Sequence, residues 1–91
     1  MTKKRERLEV IFDILKEISE HHNSIRPTPL LRRSGLSSNS FSEYYKELIS
    51  KEFIREIVDE RGKKYVTLAD KGFKFLEKYK LIVGFIGEFE L

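Results

Sequence analysis

The stretch Thr28-Pro-Leu-Leu-Arg-Arg-Ser-Gly-Leu-Ser-Ser-Asn-Ser-Phe41 decides the fold, because it predicts two short helices joined by a tight turn. Thr28 is suited to cap the first helix, and Pro29 fits its first position, where no backbone N–H is needed. Gly35 can adopt the left-handed conformation that ends such a helix, and the polar residues after it offer caps for the next one. We therefore predict helices over residues 29–34 and 38–51, arranged as a helix-turn-helix.

A β-hairpin is predicted immediately after the second of these helices. Residues 53–59 and 63–68 are short, rich in Ile, Val, Tyr and Thr, and separated by Glu60-Arg61-Gly62, where glycine supplies a turn conformation. Ile25 is expected in a very short strand that joins the hairpin as a third member. The order of elements predicts a winged helix-turn-helix of the α+β class, mainly α, in which the hairpin is the wing.

Two further helices flank this unit. Residues 3–21 have the apolar periodicity of an amphipathic helix, and the last helix is expected from about Ala69 to near the C-terminus. The positions expected to face the core on the first helix are Leu8, Ile11, Phe12, Leu15, Ile18 and Ser19, with Val10 and Ile14 widening the stripe. On the helix of residues 38–51 the core positions are Phe41, Tyr45, Leu48 and Ile49.

The C-terminal helix carries an apolar seam. Phe75, Tyr79, Ile82, Ile86 and Phe89 recur at the alternating spacings of a heptad seam, and Val83 adds to that surface. A helix over residues 69–91 would be roughly 34 Å long, more than a small domain can cover, so we expect its distal half to meet a second copy. The alternative is that it folds back on its own core. Gly84 and Gly87 each disfavour an undisturbed helix by about 1 kcal/mol relative to Ala. The predicted units are residues 1–68 and residues 69–91, the second for dimerisation.

Charge is distributed unevenly along the 91 residues. The net charge is +3, but the last eleven residues contain two glutamates and no lysine or arginine, so the first 80 residues carry +5. A locally basic body is typical of proteins with a polyanionic partner, and mixed surface charge is the simpler alternative. Abundant Lys, Arg and Glu, with no Gln and only two Asn, favour a thermophilic source.

Several classes of function are disfavoured. The chain has no cysteine, and the adjacent His21 and His22 point in different directions on a helix, so we expect no metal site. No phosphate-binding glycine loop or nucleophile elbow occurs, so we expect no enzyme, cofactor or small-molecule substrate. The charged N-terminus lacks a secretory core, and the apolar run of residues 81–89 is too short to span a bilayer. A cytoplasmic location without membrane attachment follows.

Candidate DNA-contacting residues lie on the second helix of the pair and beside it. Ser, Asn and Lys can bond to base edges or phosphates, although the serines could equally be caps and turn residues. The candidates on this helix are Ser37, Ser38, Asn39, Ser40, Ser42 and Lys46. Glu43 is either a reader of cytosine or an exposed bystander, and its repulsion of phosphate favours the bystander.

Three basic groups flank that helix. Arg32 and Arg33 end the preceding helix, where they complement its dipole or bind phosphate. Arg61, Lys63 and Lys64 lie at the wing tip, where they could follow a DNA backbone or enter a minor groove, or merely form a solvated turn. Lys3, Lys4 and Arg5 form either a basic arm or a solubilising terminus.

Five segments together resemble a known family. They are Lys4 to Leu15, Arg33 to Ser37, Tyr44 to Ile49 running into Phe53-Ile54, Leu68 to Gly72, and Phe75 to Tyr79. In their order and spacing, the chain resembles the small archaeal winged-helix proteins related to the Sulfolobus ten-kilodalton chromatin protein, a family of predicted transcriptional regulators.

That resemblance implies a winged helix whose long C-terminal helices pair into an antiparallel coiled-coil homodimer. It also implies binding to double-stranded DNA, in an architectural or regulatory role, on the nucleoid. Ala69 departs from the family, which usually has Thr there as a helix cap, and the short tail limits the coiled coil to a few turns.

Two rival functions remain. Winged helices also serve as protein-docking modules, but such a module is expected to have an apolar or acidic face on the helix that here is polar and flanked by bases. A membrane-surface helix at residues 81–91 is disfavoured because its polar face lacks Lys and Arg.

Overall fold

The computed structural model describes residues 6–91, which form four helices and one antiparallel hairpin. The elements in chain order are α1 (Arg7–Glu20), α2 (Pro27–Ser34), α3 (Ser38–Ser50), β1 (Ile54–Val58), β2 (Lys64–Leu68) and α4 (Asp70–Glu88). Helices therefore dominate, and the predicted winged-helix order is confirmed.

The core lies where α1, α2, α3 and the base of the hairpin meet. From α1, it receives Val10, Ile11, Ile14, Leu15 and Ile18. The prediction that Leu8 and Ser19 also face the core is wrong, since Leu8 is 55% exposed and Ser19 is exposed. The buried stripe of α1 is displaced around the helix, towards Val10 and Ile14 and away from these two positions.

The connection from α1 to α2 is a tight turn, and α2 begins two residues earlier than predicted. His22 and Asn23 adopt left-handed conformations, with φ of 58° and 56°. The expected cap at Thr28 is wrong: Arg26 precedes the helix with extended dihedrals, and Pro27 lies at its first position. Pro27 has the φ that a first helical residue needs, so the helix starts there rather than at Pro29.

The β2 edge of the hairpin pairs with the segment between α1 and α2. In its register Ile54 lies opposite Leu68, Glu56 opposite Val66 and Val58 opposite Lys64. Ile25 forms the predicted third member through a bridge to Val66 on the other side of β2. Ile54, Val66 and Leu68 are buried, whereas Val58 and Lys64 are exposed, so the hairpin is anchored at its base and projects at its tip.

Helix α4 begins in contact with the core and then leaves it. Ala69 precedes it with extended dihedrals and no side-chain cap, and the helix continues through Gly84 and Gly87 to Glu88. Leu76 is buried, while every residue from 80 onwards is exposed. The projecting half makes the molecule elongated, with a longest extent of 49 Å. Within residues 6–91, no helix is both long and apolar enough to cross a membrane.

Candidate nucleic-acid interface

The turn between α2 and α3 is held by serine side chains. Gly35 ends α2 in the predicted left-handed conformation, with φ of 71°. The buried Ser34 Oγ donates to the Leu31 carbonyl at 2.6 Å and accepts from the Leu36 N–H at 3.2 Å. Ser37 Oγ accepts from the Ser40 N–H at 3.2 Å and so caps α3. These bonds fix the angle at which α3 leaves α2.

One face of α3 is polar and open to solvent. Phe41 and Leu48 anchor the opposite face in the core. The exposed side chains of α3 are Ser38, Asn39, Glu43, Lys46 and Ser50, and Ser40 and Ser42 are partly buried. The predicted α3 residues other than the cap Ser37 thus lie on a mainly polar side of the helix that solvent reaches.

The wing tip is held rigid by one aspartate. Asp59 Oδ1 accepts from the backbone N–H groups of Arg61 and Lys63, each at 2.9 Å. Gly62 has φ of 79°, which a turn of this shape requires and which other residues adopt at a cost. The side chains of Arg61 and Lys63 project from this turn and are exposed. Two cations are therefore presented on an ordered backbone.

A recess separates α3 from the wing. Ser42, Tyr45, Lys46 and Glu56 are among the residues that line it. The Tyr45 hydroxyl donates to Glu56 Oε2 at 2.5 Å, and Lys64 Nζ lies 3.6 Å from the same oxygen. Burial, together with the hydrogen bond to Glu56 and its charge, raises the pKa of Tyr45 far above its ordinary value. Tyr45 therefore stays a hydrogen-bond donor at neutral pH.

The other flank of α3 is tied to α1 by charge. Glu47 accepts from both Arg7 and Lys51, the latter at 2.7 Å. These two hydrogen bonds, from Arg7 first, lower the pKa of Glu47 to about 2. Arg7 also lies over the Tyr44 ring, 5.8 Å from its centroid. This cluster sets the orientation of α3 relative to α1.

The remaining predicted cations are dispersed. Arg32 and Arg33 are exposed at the end of α2, and Arg33 pairs with Glu17 of α1 at 4.0 Å. Lys3, Lys4 and Arg5 lie outside the described residues. The polar face of α3 and the wing thus lie on either side of one recess. Arg32 and Arg33 lie apart from it, on the neighbouring helix α2.

Sequence reasoning missed the role of Tyr45 and Glu56 at this recess. Tyr45 was assigned to packing, and Glu56 was read only as part of a strand. The available signal is strand alternation: Glu56 lies on the same face as the core residue Ile54, where an acid is unusual and needs a partner.

Metal binding has no support in the described part of the chain, where no three His, Asp or Glu side chains are grouped to hold an ion. His21 instead has its Nδ1 2.8 Å from the Glu17 carbonyl of its own helix.

The seam predicted on α4 divides into two parts. Phe75 packs edge-on against Phe53, with ring centroids 5.8 Å apart, and Tyr79 stacks on Phe12 at 4.5 Å. Both therefore contact their own domain. The distal predicted residues are exposed, namely Ile82, Val83, Ile86 and Phe89, as are Leu81 and Phe85. The distal half of α4 offers a wide apolar surface.

The family model for winged helix-turn-helix proteins matches residues 4–84. Among curated proteins, none matches the sequence closely enough to count as a relative. Several solved structures share the fold. Sso10a-2, a DNA-binding protein from Sulfolobus solfataricus, is 15% identical, with a TM-score of 0.75 over 94% of this chain and 86% of that one. F93 from STIV, a winged-helix DNA-binding protein, is 21% identical, with a TM-score of 0.72 over 88% and 91% of the two chains.

A third is a MarR family transcriptional regulator from Silicibacter pomeroyi, which is 20% identical, with a TM-score of 0.72 over 91% of this chain. The chain spans 57% of that regulator's length. At these identities the likeness concerns the fold, and it confirms the winged-helix fold that the sequence predicted.

Proposed function

The chain belongs to the winged helix-turn-helix family, and from this premise we propose that it binds double-stranded DNA as a homodimer. In this proposal α3 lies in the major groove and the wing follows the flanking backbone, the usual placement for a helix-turn-helix. The DNA-binding proteins that share its fold support this assignment.

The observation that carries the proposal is the exposed polar face of α3 next to an ordered basic turn. Ser38, Asn39 and Lys46 offer hydrogen bonds suited to base edges and phosphates, and Arg61 and Lys63 offer charge to the backbone. A docking module for another protein would present an apolar or acidic surface here, and Glu43 is the one acid among the exposed residues of α3 named above.

The homodimer is supported by the distal half of α4. Ile82, Ile86 and Phe89 are 57%, 42% and 58% exposed, and they lie on one side of the helix. Burying a large apolar side chain is worth about 1.5–3 kcal/mol, so a second copy of the same seam is a favourable cover. Residues 69–91 act as the dimerisation helix in this proposal, and residues 1–68 as the DNA-binding head.

The charges at the tip of the chain support an antiparallel pair. In a parallel pair, Glu88 and Glu90 of both copies would meet at one end, where four carboxylates repel each other. In an antiparallel pair they are separated and lie towards Lys78 and Lys80 of the other copy. The two heads then occupy opposite ends of the helix pair.

The dimer would contact two DNA segments, or two sites on one duplex, which raises avidity without new base contacts. Both a chromatin-architectural protein and a transcriptional regulator on the nucleoid would use this arrangement. Sequence-tolerant binding favours the first role, and strong preference for a selected duplex favours the second.

The test is a titration of random and selected duplexes at several salt concentrations. We expect binding that weakens steeply with salt, because phosphate contacts release counterions. Absence of binding at low salt, or binding indifferent to salt, would refute the proposal. If the folded protein binds no DNA but binds another protein, the result would support the alternative function as a protein-docking module.

A further inference from the structure

One carboxylate stands among the groups proposed to contact DNA. Glu56 lies on the inner face of β1, two residues from the buried Ile54 and opposite Val66. This face continues to Val58 and Lys64 at the open end of the wing. Glu56 therefore lines the recess between α3 and the wing, on the path proposed for a DNA backbone.

Two donors converge on a single oxygen of this carboxylate. The Tyr45 hydroxyl from α3 is 2.5 Å from Oε2, and the Lys64 ammonium from β2 is 3.6 Å from the same atom. A hydroxyl and an ammonium are also typical donors to a DNA phosphate oxygen. The carboxylate thus stands where a phosphate oxygen would be held.

We propose that Tyr45 and Lys64 form a subsite for a backbone phosphate of DNA, and that Glu56 occupies this subsite as an internal competitor in the free protein. The inference rests on the proposed function, since the phosphate is that of the bound duplex. Glu56 thereby lowers the affinity for any duplex. A DNA phosphate enters the subsite only where other contacts with the duplex offset the cost of displacing Glu56 from Lys64.

The two donors are suited to this exchange. The Tyr45 ring is partly buried and lies 5.6 Å from the Phe41 ring, so its hydroxyl keeps its place. The Lys64 side chain is 52% exposed and that of Glu56 33% exposed, and ion pairs at such exposure are weak. Lys64 can therefore transfer from carboxylate to phosphate without disturbing the core.

The experiment is a double-mutant cycle on DNA affinity with Glu56→Gln and Lys64→Gln. Gln keeps an acceptor oxygen for Tyr45 while removing the charge. We expect Glu56→Gln to raise affinity for a random duplex by about threefold or more at roughly 0.1 M salt. It should also steepen the dependence of log affinity on log salt by about 0.9, the value of one added phosphate contact.

The cycle separates competition from simple repulsion. If Glu56 competes for Lys64, the gain from Glu56→Gln disappears in the Lys64→Gln background. A gain of the same size in both backgrounds, or no gain at all, would overturn the inference. Glu52→Gln removes the same charge from an exposed residue outside the recess and should leave the salt dependence unchanged.

Failure of the inference and failure of the proposed function look different. If the unaltered protein binds DNA with a normal salt dependence while Glu56→Gln binds equally well, only the competitor role is wrong. If the unaltered protein binds no duplex at any salt concentration, both the competitor role and the proposed function are refuted. Thermal unfolding checks each variant, and Glu56→Thr replaces Glu56→Gln if the latter does not fold.

Discussion

Gly72 is a residue at which α4 packs tightly against the base of the hairpin. A Cβ at this position would lie 2.4 Å from the Phe53 carbonyl oxygen and 3.2 Å from Leu68 Cδ2. The carbonyl cannot retreat freely, because it accepts the Ala69 N–H at 3.0 Å. The close packing at this corner therefore requires that residue 72 has no side chain.

Gly72→Ala should destabilise the protein by about 1–3 kcal/mol, the usual cost of overpacking a buried site. Gly84→Ala is the matched control, because a Cβ there meets nothing within 4 Å and the residue is helical. It should stabilise by up to about 1 kcal/mol through helix propensity. Urea unfolding at one fixed protein concentration measures both, and equal effects at the two sites would contradict the clash.

Glu47 provides a pH-dependent contribution to stability. Its pKa of about 2 in the folded protein lies below the ordinary value of 4.5, so the fold favours the charged form. The stabilisation is complete above the unfolded pKa, and it is lost as the pH falls from about 4.5 towards 2.

Glu47→Gln should therefore lower the melting temperature at pH 7, and the difference from the unaltered protein should shrink to nothing near pH 2. Melting curves between pH 2 and pH 7 measure this. Glu43→Gln removes a carboxylate from an exposed position on the same helix, and it should give only a small difference at pH 7. A constant deficit for Glu47→Gln at all pH values would show that the ion pairs with Arg7 and Lys51 are not its cause.

At the scale of single elements, the wing is expected to supply charge and not sequence recognition. Its tip is ordered by Asp59, and Arg61 and Lys63 project from it. Replacing both cations with Gln should weaken binding to all duplexes alike and reduce the salt slope by about 2, near 1 for each lost phosphate contact.

The matched control for the wing removes the same charge elsewhere. Lys16 and Lys74 are exposed on α1 and α4, outside the proposed DNA surface. Replacing both with Gln should leave the slope nearly unchanged. Equal losses in the two double variants would mean that the wing acts only through net charge.

The elements themselves were largely predictable from local patterns. Helix periodicity, Gly35 and the Gly62 turn predicted four helices and a hairpin, because these signals act within a few residues. The start of α2 was missed because Pro27 and Pro29 are both acceptable first residues, and the local pattern does not choose between them. The buried stripe of α1 was misplaced at Leu8 and Ser19, since its direction is set by α2, α4 and the sheet, against which α1 packs.

The candidate interface was predictable only in part. The exposed positions of α3 follow from its apolar spacing, and the cations of the wing tip follow from the turn. Tyr45 and Glu56 are eleven residues apart in sequence, and their contact depends on how the hairpin lies against α3. Such a relation between elements leaves no periodicity in the sequence, so it appears only in three dimensions.

At the scale of the whole molecule, the projecting half of α4 is the proposed dimer interface. Ile82→Glu with Ile86→Glu would place four charges in the proposed seam and should give a folded monomer. The fold should survive because the first half of α4 is held by Leu76 and by the stack of Tyr79 on Phe12. DNA binding should become much weaker, because avidity is lost. Sedimentation equilibrium at micromolar concentration measures the assembly.

Gly84→Glu with Gly87→Glu is the control for this variant. It introduces the same charges on the side of α4 away from the seam, where a new Cβ meets nothing. This control should remain dimeric. A monomeric unaltered protein, or a seam variant that stays dimeric, would contradict the proposed interface, and a monomeric control would move that interface to the glycine side.

Because α4 continues without a break through Gly84 and Gly87, it is a spacer of defined length. Because each residue advances the axis by 1.5 Å and turns it by about 100°, the number of residues in α4 fixes both the separation and the relative rotation of the two heads in the proposed dimer. Lengthening the helix by a full heptad, about 10.5 Å, would move the heads apart while nearly preserving their phase. Adding two residues would instead rotate one head relative to the other by about 200°, so that it faced the opposite direction. In the proposed dimer, the length of α4 would therefore set the distance between the two DNA sites that the heads contact.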